Sequence, residues 1–135
     1  MKIVIDTYAW VELLLGSEKG KKVMEILENA EEIYTPSIVL AETAKKFLRE
    51  GNDESTVAEW LDIINAASNI TQIDPALSLE AAKCHLELVE KAKRSKQNTP
   101  SLFDAIVLAT ARINQCKVLT GDEHFKDLPE TIWLS

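Results

Sequence analysis

Lys2-Ile3-Val4-Ile5-Asp6-Thr7 puts three consecutive β-branched apolar residues directly before a single carboxylate. A continuous apolar run without polar alternation predicts a strand covered on both faces, as in a parallel sheet between helices. Ligands of such sheets bind beyond the carboxyl ends of the strands, and Asp6 falls there. Asp is also a favoured N-cap, so the same residue reads equally as the start of a helix. Near the other end of the chain, Cys116-Lys117-Val118-Leu119-Thr120 repeats the arrangement. Gly121-Asp122 then sets a second carboxylate just past a second apolar strand.

The segments between these strands read mainly as helices. Tyr8 to Leu15 is apolar and ends at Gly16, and Ser17 opens a second helix with Val23, Ile26, Leu27 and Ala30 toward the core. Ile33-Tyr34-Thr35 is a strand, and Thr35-Pro36 predicts a hydroxyl cap with proline at the first helical position. That helix runs to about Glu50. At 100° per residue it groups Leu40, Ala41, Ala44, Phe47 and Leu48 on the core face, and Glu42 with Lys45, Lys46 and Arg49 on another. Glu42 then reads either as half of an exposed ion pair with Lys46 or as a carboxylate near the start of a helix that follows a strand.

Thr56-x-x-Glu59 predicts a capping box and a helix with Trp60 in the core. Ile70 to Ile73 alternates like a strand, and Asp74-Pro75 starts the longest helix, to about Arg94. Cys84 and His85 are adjacent there and point to different faces, so they form no metal pair. Lys91 to Asn98 is a basic, polar stretch, either a solvated helix end or a contact for phosphate or an acidic partner. Leu102 to Ile113 is apolar nearly all round, a buried helix that carries Asp104 in its first turn. Ser101-x-x-Asp104 also fits a capping box. His124 reads either as a group that orients a water or phosphate or, as a lone histidine in a loop, as solvent-exposed. Thr131-Ile132-Trp133-Leu134 reads as a last strand with its tryptophan covering the sheet.

The chain has 135 residues, which fits one domain over 1–135 with a continuous core. Hydrophobic residues at 46% and charged residues at 27% exclude a disordered chain. The two cysteines are far apart and suggest neither a zinc ribbon nor a disulfide framework. No apolar run approaches the ~20 residues of a membrane span, so a cytoplasmic protein is expected. The net charge of −7 runs against nucleic-acid binding through Lys and Arg. Four of the acidic residues, however, belong to a candidate metal site whose bound cation would offset their charge. An acidic body also suits a basic protein partner.

Alternating strands and helices joined by right-handed crossovers predict an α/β fold, three layers deep, with a largely parallel central sheet. Such a sheet brings Asp6 and Asp122 to one edge, with Glu42 and Asp104 on the first turns of helices that start there. Clustered carboxylates repel unless a cation sits among them. Oxygen ligands with no His or Cys constellation suit Mg²⁺ or Mn²⁺, and the natural chemistry is metal-assisted phosphodiester hydrolysis.

Asp6-Thr7, Glu42, Asp104-Ala105-Ile106 with Leu108-Ala109-Thr110-Ala111, and Thr120-Gly121-Asp122-Glu123-His124-Phe125 together resemble the PIN-domain ribonucleases. Within that family the chain looks most like the VapC-type toxins of toxin–antitoxin pairs. The resemblance covers nearly the whole chain. It implies a PIN-like α/β/α fold, catalytic and metal-binding roles for Asp6, Glu42, Asp104 and Asp122, and support of these acids by Thr7. It also implies cleavage of RNA with Mg²⁺ or Mn²⁺, a homodimer, and inhibition by a small antitoxin with a basic tail. Lys45, Lys46 and Arg49 are the expected contacts to the RNA backbone. The alternatives are a housekeeping RNA-processing PIN nuclease and a catalytically inactive PIN scaffold for assembly or binding. A phospho-receiver domain would need an acidic pair beside the first strand, and Asp6 has no such neighbour.

Overall fold

The computed structural model describes residues 1–135 and begins with strand β1 (Lys2–Ile5), whose Ile3, Val4 and Ile5 are fully buried. Helices α1 (Thr7–Leu15) and α2 (Glu18–Glu28) lead to β2 (Glu32–Pro36), and α3 (Ser37–Arg49) and α4 (Glu54–Ala67) lead to β3 (Asn69–Thr71). Helices α5 (Pro75–Ser95) and α6 (Leu102–Ile113) return to β4 (Lys117–Thr120), and a 3-10 turn at Glu123–Phe125 connects to β5 (Thr131–Trp133). Every neighbouring pair runs parallel, in the order β3-β2-β1-β4-β5.

The chain steps outward from β1 to β3 and then crosses back to β4. Right-handed crossovers therefore put α1 to α4 on one face and α5 with α6 on the other. Consistently, α1 packs on α2 and α3, α3 on α4, and α5 on α6. These are the three layers expected from the alternation. The strand order differs from the 2-1-3-4-5 of receiver-like folds, which removes that competitor. Because β1 and β4 are neighbours whose connections leave in opposite directions, a crevice opens beyond their carboxyl ends. Asp6 and Asp122 lie just beyond those two strands.

Local chemistry explains most element ends. Ser17, Asp74 and Ser101 accept hydrogen bonds from the N–H groups of Gly20, Leu77 and Asp104, capping α2, α5 and α6 as expected. Gly16, at φ 68, stops α1 in the left-handed conformation open to glycine. A buried polar chain then ties α1 to the sheet. Trp10 Nε1 donates to Thr35 Oγ1 at 3.1 Å, Thr35 and Ser68 hydroxyls lie 2.7 Å apart, and Ser68 Oγ donates to the Ile64 carbonyl at 2.8 Å. No helix is long and apolar enough to cross a membrane. Both cysteines are buried and free.

Four local expectations need correction. Thr35 does not cap α3, since its hydroxyl belongs to that chain, and Pro36 holds the N-cap position with no side-chain cap. The core face of α3 is Val39, Thr43 and Phe47, while Ala41 and Leu48 are exposed. Apolar residues occupy nearly half the helix circumference, so the wheel leaves its rotation open. Phe47 packing on Trp60, with ring centroids 4.4 Å apart, fixes it. Helix α4 starts earlier than the Thr56 capping-box pattern suggests, because Asp53 is the N-cap and accepts the Thr56 N–H at 2.8 Å. Finally, β5 is an edge strand and Trp133 is 37% exposed beneath Lys126; Leu134 is the buried residue there.

Candidate active site

The end of β1 carries Asp6 into the crevice with 5% exposure. Its Oδ1 accepts the Thr7 N–H at 2.8 Å, which caps α1, and its Oδ2 accepts the Thr120 hydroxyl at 2.8 Å. Thr120 Oγ1 also accepts the Asp122 N–H at 3.0 Å, so one buried hydroxyl joins the two strand ends. Asp122 in turn accepts the His124 N–H at 2.9 Å, starting the 3-10 turn. Asp104 completes a reciprocal capping box with Ser101 at the start of α6, both bonds at 3.1 Å. Glu42 is half-buried on the second turn of α3, and its Oε1 accepts the Thr7 hydroxyl at 3.1 Å. The Glu42–Lys46 ion pair is not formed; Lys46 Nζ lies 2.8 Å from Glu50 instead.

Asp6, Thr7, Glu42, Asp104 and Asp122 thus line one cleft of about 350 Å³, with Tyr8, Glu12 and Lys46 at its sides. A hollow of similar size along α5, between Glu87, Lys91, Arg94 and Leu128, mixes both signs of charge. The electrostatics of the acidic cleft are those of crowded carboxylates. Burial raises the Asp6 carboxyl to about 7, against hydrogen bonds from Thr120 and Thr7 that lower it, and the charges of Asp104 and Asp122 add to the rise. Glu42 and Asp104 are raised as well, first by burial and then by neighbouring aspartates.

Donor atoms of Asp104, Asp122 and His124 all lie within 4.8 Å of one another. Asp6 and Glu42 line the same cleft without joining that tight group. A set of carboxylates crowded around a shared opening, three of them held above their ordinary range, fits a divalent cation, which would relieve the repulsion.

The sequence leaves the roles of two residues of this arrangement open. His124 is not solvent-exposed: its side chain is 14% exposed and turned toward Asp104 and Asp122. Thr120 reads from the sequence only as strand. The available signal is a hydroxyl residue at the carboxyl end of an apolar strand, next to the position that singles out Asp6. Gly121 has a steric role: a Cβ there would sit 2.4 Å from the Tyr8 ring, so the ring can lie against the backbone only at a glycine. Of the basic strip, Lys46 reaches the cleft, and Lys45 and Arg49 are exposed beyond it.

Fold and cleft together define a three-layer α/β protein with a cluster of acids at its topological switch point. The chain belongs to the PIN domain family, whose family model matches residues 3–131. A comparison with curated proteins finds no match. Among solved structures, a toxin–antitoxin complex from Klebsiella pneumoniae is similar at 19% identity, covering 98% of each chain with a TM-score of 0.69. VapBC2 from Rickettsia felis, bound to a DNA fragment from its promoter, is similar at 19% identity with the same TM-score of 0.69, covering 98% of this chain and 97% of that one. The sarcin–ricin loop cleaving toxin VapC20 of Mycobacterium tuberculosis is similar at 19% identity and a TM-score of 0.65, covering 91% of this chain and 92% of that one.

Proposed function

We propose that this chain is a single PIN domain acting as a metal-dependent endoribonuclease, and that it is a VapC-type toxin of a toxin–antitoxin pair. The observation that carries this reading is the convergence of Asp6, Glu42, Asp104 and Asp122 on one cleft at the β1–β4 switch point. Membership of the PIN family and the likeness to solved toxins support it. These four carboxylates would hold Mg²⁺ or Mn²⁺. When bound, such a cation supplies positive charge against the phosphodiester and acidifies the attacking water.

The chain's own groups prepare that chemistry. Thr120 and Thr7 fix the two oxygens of Asp6, and the Thr7 hydroxyl also aims Glu42 across the opening. The Ser101 capping box fixes Asp104, whose side chain lines the cleft. Lys45, Lys46 and Arg49 on α3 would hold RNA backbone leading away from it. A homodimer with a small basic antitoxin in the cytoplasm completes the reading.

The test is RNA cleavage by the purified chain with Mg²⁺ or Mn²⁺, and by Asp104→Asn and Asp122→Asn. Both variants should cut slower by orders of magnitude while remaining folded. Retained cleavage in both would remove the site assignment. Absence of cation binding in titration calorimetry would favour an inactive PIN scaffold. Cleavage by a protein that is harmless when overexpressed would favour a housekeeping RNA-processing nuclease.

A further inference from the structure

His124 stands beside the acidic cleft, turned toward two of its carboxylates, and its environment defines what each ring atom does. Nε2 lies 2.7 Å from the carbonyl oxygen of Asn98. A carbonyl only accepts, so Nε2 carries a proton and, in the neutral ring, Nδ1 presents a lone pair. Nδ1 is buried and has no hydrogen-bond partner. It stands 3.2 Å from Asp122 Oδ1 and 3.4 Å from Asp104 Oδ2.

A lone pair facing two carboxylate oxygens is repulsive, and only positive charge between the three atoms makes the arrangement favourable. That charge is either a second ring proton or a metal ion, and the separations discriminate. A charge-assisted N–H···O contact closes to about 2.7–2.9 Å and points at one oxygen. Adjacent ligands on a six-coordinate divalent ion, each at about 2.1–2.2 Å, stand about 3.0–3.1 Å apart. Both observed distances are longer than the first; the 3.2 Å to Asp122 is close to the second and the 3.4 Å to Asp104 is longer still, and the nitrogen is shared between two carboxylates rather than aimed at one.

We propose that His124 Nδ1 is a direct nitrogen ligand of the cation, beside Asp104 and Asp122, and that it makes the site prefer Mn²⁺ to Mg²⁺. Mg²⁺ favours all-oxygen surroundings, whereas imidazole suits transition ions, among which affinity rises from Mn²⁺ toward Cu²⁺. A ligating histidine normally gives its other N–H to a carbonyl or carboxylate, which fixes the tautomer. Here Asn98 accepts it from the loop after α5. The same loop is tied to the same turn a second time, since Gln97 Nε2 donates to the Glu123 carbonyl at 3.1 Å. The end of the basic stretch before α6 thereby holds the imidazole in place.

This inference rests on the reading that the cleft holds a divalent cation, and the experiment separates the two. The wild-type chain is titrated with Mn²⁺ and with Mg²⁺ by calorimetry, and the bound Mn²⁺ is probed by pulsed electron spin-echo spectroscopy for nitrogen coupling. We expect strong coupling to an imidazole nitrogen and tighter binding of Mn²⁺ than of Mg²⁺. In His124→Gln the coupling should vanish and Mn²⁺ affinity should fall by about tenfold or more, with Mg²⁺ affinity changed much less. Mn²⁺ bound to the wild type without nitrogen coupling would overturn the assignment of His124 and leave the metal site standing. Binding of neither ion to the wild type would overturn both. The spin-echo measurement needs no variant, so a folding defect in His124→Gln does not protect the proposal.

Discussion

Asp6 shows how one carboxylate serves both the fold and the site. Its two oxygens are taken by Thr7 and Thr120, so it caps α1 and fastens β1 to β4 while standing in the cleft. The cap reading and the strand-end reading of the sequence are therefore not exclusive, and the same holds for Asp104 with its capping box. Burial makes Asp6 costly when ionised. Its folded carboxyl, at about 7, lies above the ordinary 3.8, so the native state binds the proton more tightly than the unfolded chain. The associated stability is complete below about pH 4 and lost as pH rises through 7, on the order of 4 kcal/mol. In chelator, Asp6→Asn should therefore be more stable than wild type at pH 8, and the gain should vanish toward pH 4. Urea unfolding at the two pH values reads this, and a pH-independent difference would contradict it. RNA cleavage by the same variant should fall by orders of magnitude. The half-buried place of His124 is illegible in the sequence for a different reason. Its burial depends on Asn98, 26 residues earlier in the chain, and no local pattern announces a loop that folds back so far.

At the scale of elements, caps are readable where the signal is unambiguous, as at Ser17, at Asp74 with its following proline, and at Ser101 with its reciprocal partner Asp104. They mislead where two compete within three residues, as with Asp53 and Thr56, or where the hydroxyl has a better partner inside the sheet, as with Thr35. Thr35→Val removes the acceptor of a buried indole N–H, and we expect a loss of about 1–3 kcal/mol, measured by denaturant unfolding. The approach of α2 to α1 makes a second demand. A Cβ at Gly20 would stand 2.2 Å from the Glu12 carbonyl oxygen, a backbone atom that cannot swing away. Gly20→Ala should cost about 1–3 kcal/mol despite alanine's better helix propensity. A variant as stable as wild type would mean that the two helices can separate. The rotation of α3 bears on the proposed function. By burying Val39, Thr43 and Phe47 it turns Glu42 toward the cleft and leaves Lys45 and Arg49 exposed beyond it. If that strip holds RNA backbone, replacing Lys45, Lys46 and Arg49 with Glu should weaken binding. It should also flatten the salt dependence by about 2 or more in logarithmic slope, without altering sequence preference. An unchanged slope would make the strip a solvated face.

For the whole molecule, the parallel sheet follows from uninterrupted apolar strands alternating with helices. Its order does not, because which strand β4 joins depends on contacts more than a hundred residues apart, such as Thr120 with Asp6. That pairing creates the crevice and concentrates negative charge in it, on a chain whose net charge is already −7. On the proposed reading, RNA would be repelled by such a body except where a bound cation and the α3 strip opposed the field, whereas a cationic protein segment is attracted by the net negative charge. Arg is the best-suited side chain: its planar fork can bridge two carboxylates and occupy the cation's place without needing one. We therefore expect a small partner with a basic tail that ends near Asp6, Asp104 and Asp122. Co-purification from the native operon should yield that partner. The complex should take up little Mn²⁺, and high salt should release the tail and restore both metal binding and RNA cleavage. A chain that purifies alone, cuts RNA and is harmless when overexpressed would end the toxin reading while leaving the nuclease intact. A partner that binds equally tightly to a variant neutralised at Asp6, Asp104 and Asp122 would show that the inhibitor docks elsewhere on the acidic surface.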